Sequence, residues 1–166
     1  MRPRFVVGSF VAAAIVTQPA LVEAQQVPAD VQAYLTYMQK ADTPAVQATT
    51  MMQTQSQLAA QDPSLIFDDA WKVKTAVALA AMQTAGQQMQ SYAPVPADAQ
   101  DLDDAMVALG KDLVASANDY AQGVDNLDGA LLTKAAREVR AATAEWDQAN
   151  AALHAMADSY GIDLTQ

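Results

Sequence analysis

Nine residues near the end of the chain, Leu132, Ala135, Val139, Ala142, Trp146, Ala149, Leu153, Met156 and Tyr160, follow one another at separations alternating between three and four. An α-helix advances about 3.6 residues per turn, so the series holds one stripe toward a partner helix without a slip. A strand, with its period of two, cannot produce it. With Leu132 at heptad position a, the d positions from 135 to 149 are all alanine and the a positions carry larger side chains. Small residues on one row predict a neighbouring backbone at close range, with Trp146 filling the space alongside.

The preceding segment carries the same spacing through Leu102, Met106, Leu109, Leu113, Ser116, Tyr120 and Gly123. Two earlier segments are less regular. In the first, Val31, Leu35, Met38, Ala45, Met52 and Ala59 share a face that Thr43-Pro44 interrupts. The helix is expected either to kink there or to end near Ala41 and restart with Thr43 as N-cap and Pro44 at the first helical position. In the second, Ile66, Ala70, Val73, Val77 and Ala80 form the expected seam, and Ser64 is the expected N-cap. Asp62-Pro63 and Ala93-Pro94-Val95-Pro96 separate the segments, because each proline lacks an amide donor and restricts the residue before it. Gly123 to Asp128 form the third connector, and Gly161 is placed to end the last helix in the left-handed conformation. The expectation is an all-α, antiparallel up-down-up-down four-helix bundle, with helices near residues 30–61, 65–92, 97–122 and 128–160.

The N-terminus has a different character. Arg2 and Arg4 precede an apolar run from Phe5 to Val16, too short to cross a bilayer, and Val22-Glu23-Ala24 offers a cleavage site before Gln25. Residues 1–24 therefore read as a cleaved signal peptide, and 25–166 as one helical domain exported to the periplasm or the extracellular space. With no cysteine near the cut, or anywhere in the chain, neither a lipid anchor nor disulfides nor thiolate metal sites are expected. Arg2 and Arg4 outweigh Glu23 by one charge, so the remainder carries −11 against −10 for the whole chain. Its basic residues are too sparse for a phosphate track. Such a charge disfavours nucleic acid and anionic lipid, and a stable membrane anchor in the mature form is not expected.

Catalytic and cofactor chemistry is poorly provided for. A di-iron carboxylate bundle needs paired Glu-x-x-His, but the chain has one histidine, His154, with Ala151 three residues before it. Met38 and His154 resemble, in placement, the methionine and histidine that hold haem in exported four-helix b-type cytochromes. The likeness is confined to the architecture and these two residues. It implies an electron carrier, yet the register of the last helix puts His154 at b, toward solvent, and Cys-x-x-Cys-His is absent. The acidic clusters Asp98, Asp101, Asp103, Asp104 and Asp125, Asn126, Asp128 lack the ligand pattern of a calcium loop, since Leu127 and Ala136 fall where oxygen ligands belong. They are expected to cap helix N-termini. No nucleophile elbow accompanies His154. Trp71, Trp146 and the tyrosines are expected in the core and in grooves.

These observations predict a non-enzymatic exported protein, without cofactor or metal, that acts by binding. Its partner is a protein received along a helical groove or a small apolar ligand held between helices. The methionine- and glutamine-rich stretches Met51–Gln55 and Gln87–Gln90, expected at neighbouring levels, and the discontinuity at Pro44 are the expected places.

Overall fold

The computed structural model describes residues 27–162 and Leu164. The proposed signal peptide and its cleavage site lie outside the described residues. Among these residues the fold is all-helical, with four α-helices: α1 (Ala29–Gln61), α2 (Asp69–Met89), α3 (Gln100–Asp125) and α4 (Gly129–Ser159). None is long and apolar enough to cross a membrane.

α1 continues without a break through Pro44, so it does not stop at Ala41 and restart. Its buried face, including Val31, Leu35, Met38, Ala45 and Met52, keeps its phase across the proline. Burial of that stripe on both sides offsets the one backbone hydrogen bond that Pro44 removes. Thr43 does not cap; its hydroxyl donates back to the Gln39 carbonyl at 3.1 Å.

The second helix begins later than its spacing predicts. Pro63–Phe67 form a short 3-10 helix capped by Asp62, which accepts from the Ser64 amide and hydroxyl. Asp68, not Ser64, is the N-cap of α2, accepting from Trp71 N at 2.7 Å. Its buried face is also not the expected one. Val73 is 63 % exposed and Val77 58 %, while Trp71, Thr75, Ala78, Met82, Gly86 and Met89 point inward. The two rows are five residues out of phase, about 140° around the helix. The wider inner row wins because Trp71, Leu79, Met82 and Met89 bury more apolar area than two valines and three small or partly exposed neighbours.

Glycine decides how α2 meets α3. A Cβ on Gly86 would lie 2.5 Å from the Gly110 carbonyl oxygen, and one on Gly110 equally close to that of Gly86. The backbones cross where neither carries a side chain.

α3 runs to Asp125, past the predicted end at Gln122, with Gly123 buried beneath Leu132. Leu127 then takes φ 53°, and Asp128 caps α4 by accepting from Ala130 N and Leu131 N. At its far end Gly161 adopts φ 70°, its amide donating to Asp158 O while that of Ile162 donates to Ala157 O, a Schellman closure.

On α3, Leu102, Met106, Leu109 and Leu113 are buried, and Tyr120 is half-buried. On α4, Ala135, Ala142, Trp146, Ala149, Leu153, Met156 and Tyr160 are buried, but Leu132 and Val139 only half so. α1 and α4 approach each other less closely than the sequential helix pairs do. Trp146 bridges that gap, its indole Nε1 donating to buried Asp42 at 2.7 Å.

Candidate functional site

The seam between α1 and α4 is not filled evenly. At the level of Asp42, Trp146 reaches across from α4, and Ala41 and Ala45 beside Asp42 on α1 are small and buried. Farther along, small residues again face the interior, Thr49 on α1 and Ser116 on α3, but no large side chain enters. A cavity of about 460 Å³ remains, within the ~300–1,000 Å³ usual for small-molecule sites.

All four helices contribute to its wall. The apolar surface comes from Met52, Leu79, Met82, Tyr120, Leu132 and Val139. Leu132 and Val139 are the two large seam residues of α4 that packing leaves half-buried, so the space they fail to fill is the cavity itself. Polar groups are few and unevenly engaged. Ser116 donates to the Ala135 carbonyl at 3.1 Å, and Ser56 meets the Tyr120 hydroxyl at 3.2 Å. Thr49, only 3 % exposed, leaves its hydroxyl without a hydrogen-bond partner among the described residues. A buried, unpaired hydroxyl costs roughly 1–3 kcal/mol, which an arriving partner can recover. Arg140 lies at the exposed margin, together with Gln53 and Gln57.

Near this cavity, Lys134 joins α3 to α4 by contacting Asp119 at 2.6 Å and Glu138 at 3.4 Å. The hydrogen bond from Lys134 holds the Asp119 carboxyl below its ordinary range. Glu138 is pushed up by burial and by the Asp119 charge.

A second concavity, an open groove of about 510 Å³ between α2 and the end of α3, has Phe67 and Leu127 at its margin, both mostly exposed. Thr75 lies within it, its buried hydroxyl also without a hydrogen-bond partner among the described residues.

The structure does not bring Met38 and His154 together. Met38 is fully buried in the core and His154 is exposed on α4, in keeping with position b; neither lines either concavity. A haem's two axial ligands reach the iron from opposite faces of the ring within one pocket, and these two residues share neither of the concavities described. Among the described residues there is no cluster of three metal-ligating side chains. The acidic groups are individually engaged instead. Asp98 accepts from the Tyr160 hydroxyl at 2.7 Å. Asp103 is buried beside Tyr34, and its carboxyl is raised by that burial.

The two methionine- and glutamine-rich stretches do not share a level. The Gln55 carbonyl accepts from Trp71 Nε1 at the start of α2, whereas the Gln88 carbonyl accepts from Tyr37 near the start of α1. Helices joined by a short connector align the end of one with the beginning of the next, so Met51–Gln55 and Gln87–Gln90 lie at opposite ends of the pair. Only the first contributes to the cavity, through Met52 and Gln53. The spacing marks Ser116 only as one position of the α3 row and does not mark Thr49 or Arg140 at all; the cross-helix juxtaposition that distinguishes them leaves no local pattern.

Comparison with known proteins finds no matching family model, no matching curated protein and no matching solved structure.

Proposed function

We propose that the chain is an exported, non-enzymatic binding protein that holds a small, largely apolar ligand in the cavity between its four helices. The observation that carries this reading is the incomplete packing at Leu132 and Val139 around a buried hydroxyl with no partner. Residues of the lining supply no carboxylate, imidazole or thiol, so the site has binding groups but no evident general acid, base or nucleophile. The other reading of the sequence, a protein partner in a groove, would use the margin at Phe67 and Leu127; a cavity walled by all four helices, with a buried hydroxyl inside it, favours a small molecule.

The proposed frame is an antiparallel up-down-up-down bundle with a bend in α1 at Pro44. Contacts supporting it pair early with late positions on α1 and α2 (Tyr37 with Gln88, Gln55 with Trp71) and on α3 and α4 (Ser116 with Ala135), while Asp42 and Trp146 join the middles of α1 and α4, whose late and early turns line the cavity together. Export rests on the arginine-led apolar leader and the site after Ala24. An acidic, cysteine-free product suits a free binding protein outside the cytoplasm.

Titration with a neutral fluorophore such as phenylnaphthylamine tests the site. Saturable enhancement is expected, and Val139→Trp, which places an indole in the cavity, should abolish it while helical content and melting are retained. Enhancement indifferent to Val139→Trp sinks the assignment. For export, processed material should begin at Gln25; an unprocessed, cell-retained chain overturns that part.

A further inference from the structure

The cavity has a charge asymmetry that a purely apolar ligand would not use. Arg140 makes no ion pair or hydrogen bond among the described residues, although Lys134, earlier on the same helix, is held by both Asp119 and Glu138. In a chain of net charge −10, acidic partners are abundant. Lys40, Lys74, Lys111 and Arg137 are likewise without an ion pair among the described residues, so what distinguishes Arg140 is its place: it is the cation in the cavity lining. Thr49 is the second unsatisfied group, and it lies inside. In the antiparallel frame these two share a level: Asp42 meets Trp146, and moving seven residues onward along α1 and six back along α4 arrives at Thr49 and Arg140. The charged end of the cavity is then defined by a guanidinium and a hydroxyl with free hydrogen-bonding capacity. The opposite end is bounded by Leu132, by Tyr120, whose hydroxyl already accepts from Ser56, and by the uncharged Gln57.

We infer that the ligand is a medium-chain monocarboxylate, its carboxylate held by Arg140 and Thr49 and its chain lying toward Leu132 and Tyr120. This rests on the cavity being the binding site, as proposed above. The planar guanidinium suits a carboxylate because it donates two parallel hydrogen bonds, and the Thr49 hydroxyl can donate a third. Chain length follows from the helices. The lining runs from Thr49 to Gln57 on α1 and from Leu132 to Arg140 on α4, eight residue steps in each case, or ~12 Å at the helical rise. That accommodates a medium chain and is too short for the acyl chain of a bilayer lipid, whose two leaflets share a ~30 Å hydrocarbon core and whose headgroup would remain attached. The acidic surface repels anions at long range, so recognition of a carboxylate depends on contact with Arg140.

Competition against the bound neutral fluorophore tests the inference, using decanoate, decanol and decyltrimethylammonium with the full processed chain at neutral pH. Decanoate should displace the dye at concentrations about tenfold or more below decanol, the size expected of a charge-assisted hydrogen-bonded pair. The ammonium should be the weakest competitor. On Arg140→Gln the ratio of decanoate to decanol should collapse toward one, and Thr49→Val should reduce it several-fold; Arg140 is exposed, so folding is not at stake. Decanol equal to decanoate on the unsubstituted protein, or a ratio that survives Arg140→Gln, overturns the carboxylate assignment and leaves the cavity reading standing. Failure of the dye to bind at all removes the cavity reading, and this inference with it.

Discussion

The end where α1 begins and the end where α1 stops are built from similar residues and finished differently. At the first, Tyr34 packs edge-on to Tyr92 with ring centroids 5.1 Å apart, and Tyr37 meets Tyr92 at 4.9 Å. Tyr37 also contacts Ser91 and Gln88, and Tyr160 donates to Asp98. Met38, Met89 and Met106 are fully buried. Toward the other end Met52 and Met82 also face inward and Trp71 is buried against the end of α1, but the cavity persists. Large apolar groups there are exposed as well, Leu58, Phe67 and Leu127 among them. A continuous heptad row secures a helix–helix seam; closing the interior needs large side chains on the facing helices at the same level. At the first end they meet; at the other, Thr49 and Ser116 stand opposite Leu132 and Val139 and leave the space open.

Deleting a leucine at each end breaks or sustains that contrast most directly. Leu109 is fully buried, so Leu109→Ala removes apolar contacts and leaves a new void, at a cost of about 3–5 kcal/mol. Leu132 already borders empty space and is only half-buried, so Leu132→Ala should cost about 1 kcal/mol. Chemical denaturation of both variants measures the difference. Equal losses would mean that the cavity end is as well packed as the tyrosine end.

A smaller effect is expected at the glycine crossing that fixes how α2 lies on α3. Gly86→Ala gains helix propensity, roughly 1 kcal/mol, but its Cβ would stand 2.5 Å from a backbone carbonyl that cannot rotate aside. The helices must separate, with a net loss of about 1–3 kcal/mol. Gly129→Ala is the control, because a Cβ there meets nothing within 4 Å. A Gly86→Ala variant as stable as the Gly129→Ala control would show that α2 and α3 slide past one another freely.

How much of this was legible depended on whether size and spacing agreed. On α4 they did: the row from Ala135 to Tyr160 combines unbroken spacing with residues suited to one interface, and most of it is buried. On α2 they conflicted, because Val73 and Val77 advertise an apolar row while Thr75 and Gly86 disguise the row that packs. The Gly86–Gly110 crossing requires knowing which two helices meet and at what level. The cavity was illegible for the same reason. Leu132 and Val139 look like core residues in one dimension, and only the small groups opposite them, Thr49 and Ser116, leave them unfilled. Asp103 illustrates the converse, an acidic residue suited to a helix N-terminus that is buried beside Tyr34 of another helix.

The mildest expected effect separates the two ends by pH. Toward alkali the tyrosine end should loosen first. The hydrogen bond to Asp98 pushes the Tyr160 hydroxyl up to about 12 from an ordinary 10.0, and burial raises that of Tyr34. A group whose pKa is higher when folded contributes stability that is complete below its unfolded value and lost as pH rises through the folded one. The loss from Tyr160 should therefore run from pH 10 to about 12, and Tyr160→Phe should remove its share of the slope. Toward acid, burial raises the carboxyls of Asp103 and Glu138, so stability should rise as pH falls from neutrality into the ordinary carboxylate range. It should then fall at lower pH, as Asp119, held low by Lys134, takes up its proton and the link between α3 and α4 opens beside the cavity. Asp119→Asn should flatten the acid limb and leave the alkaline one untouched, whereas Tyr160→Phe should do the reverse. If each variant alters both limbs, the two ends are not energetically separate, and the cavity cannot open or fill without disturbing the tyrosines at the far end.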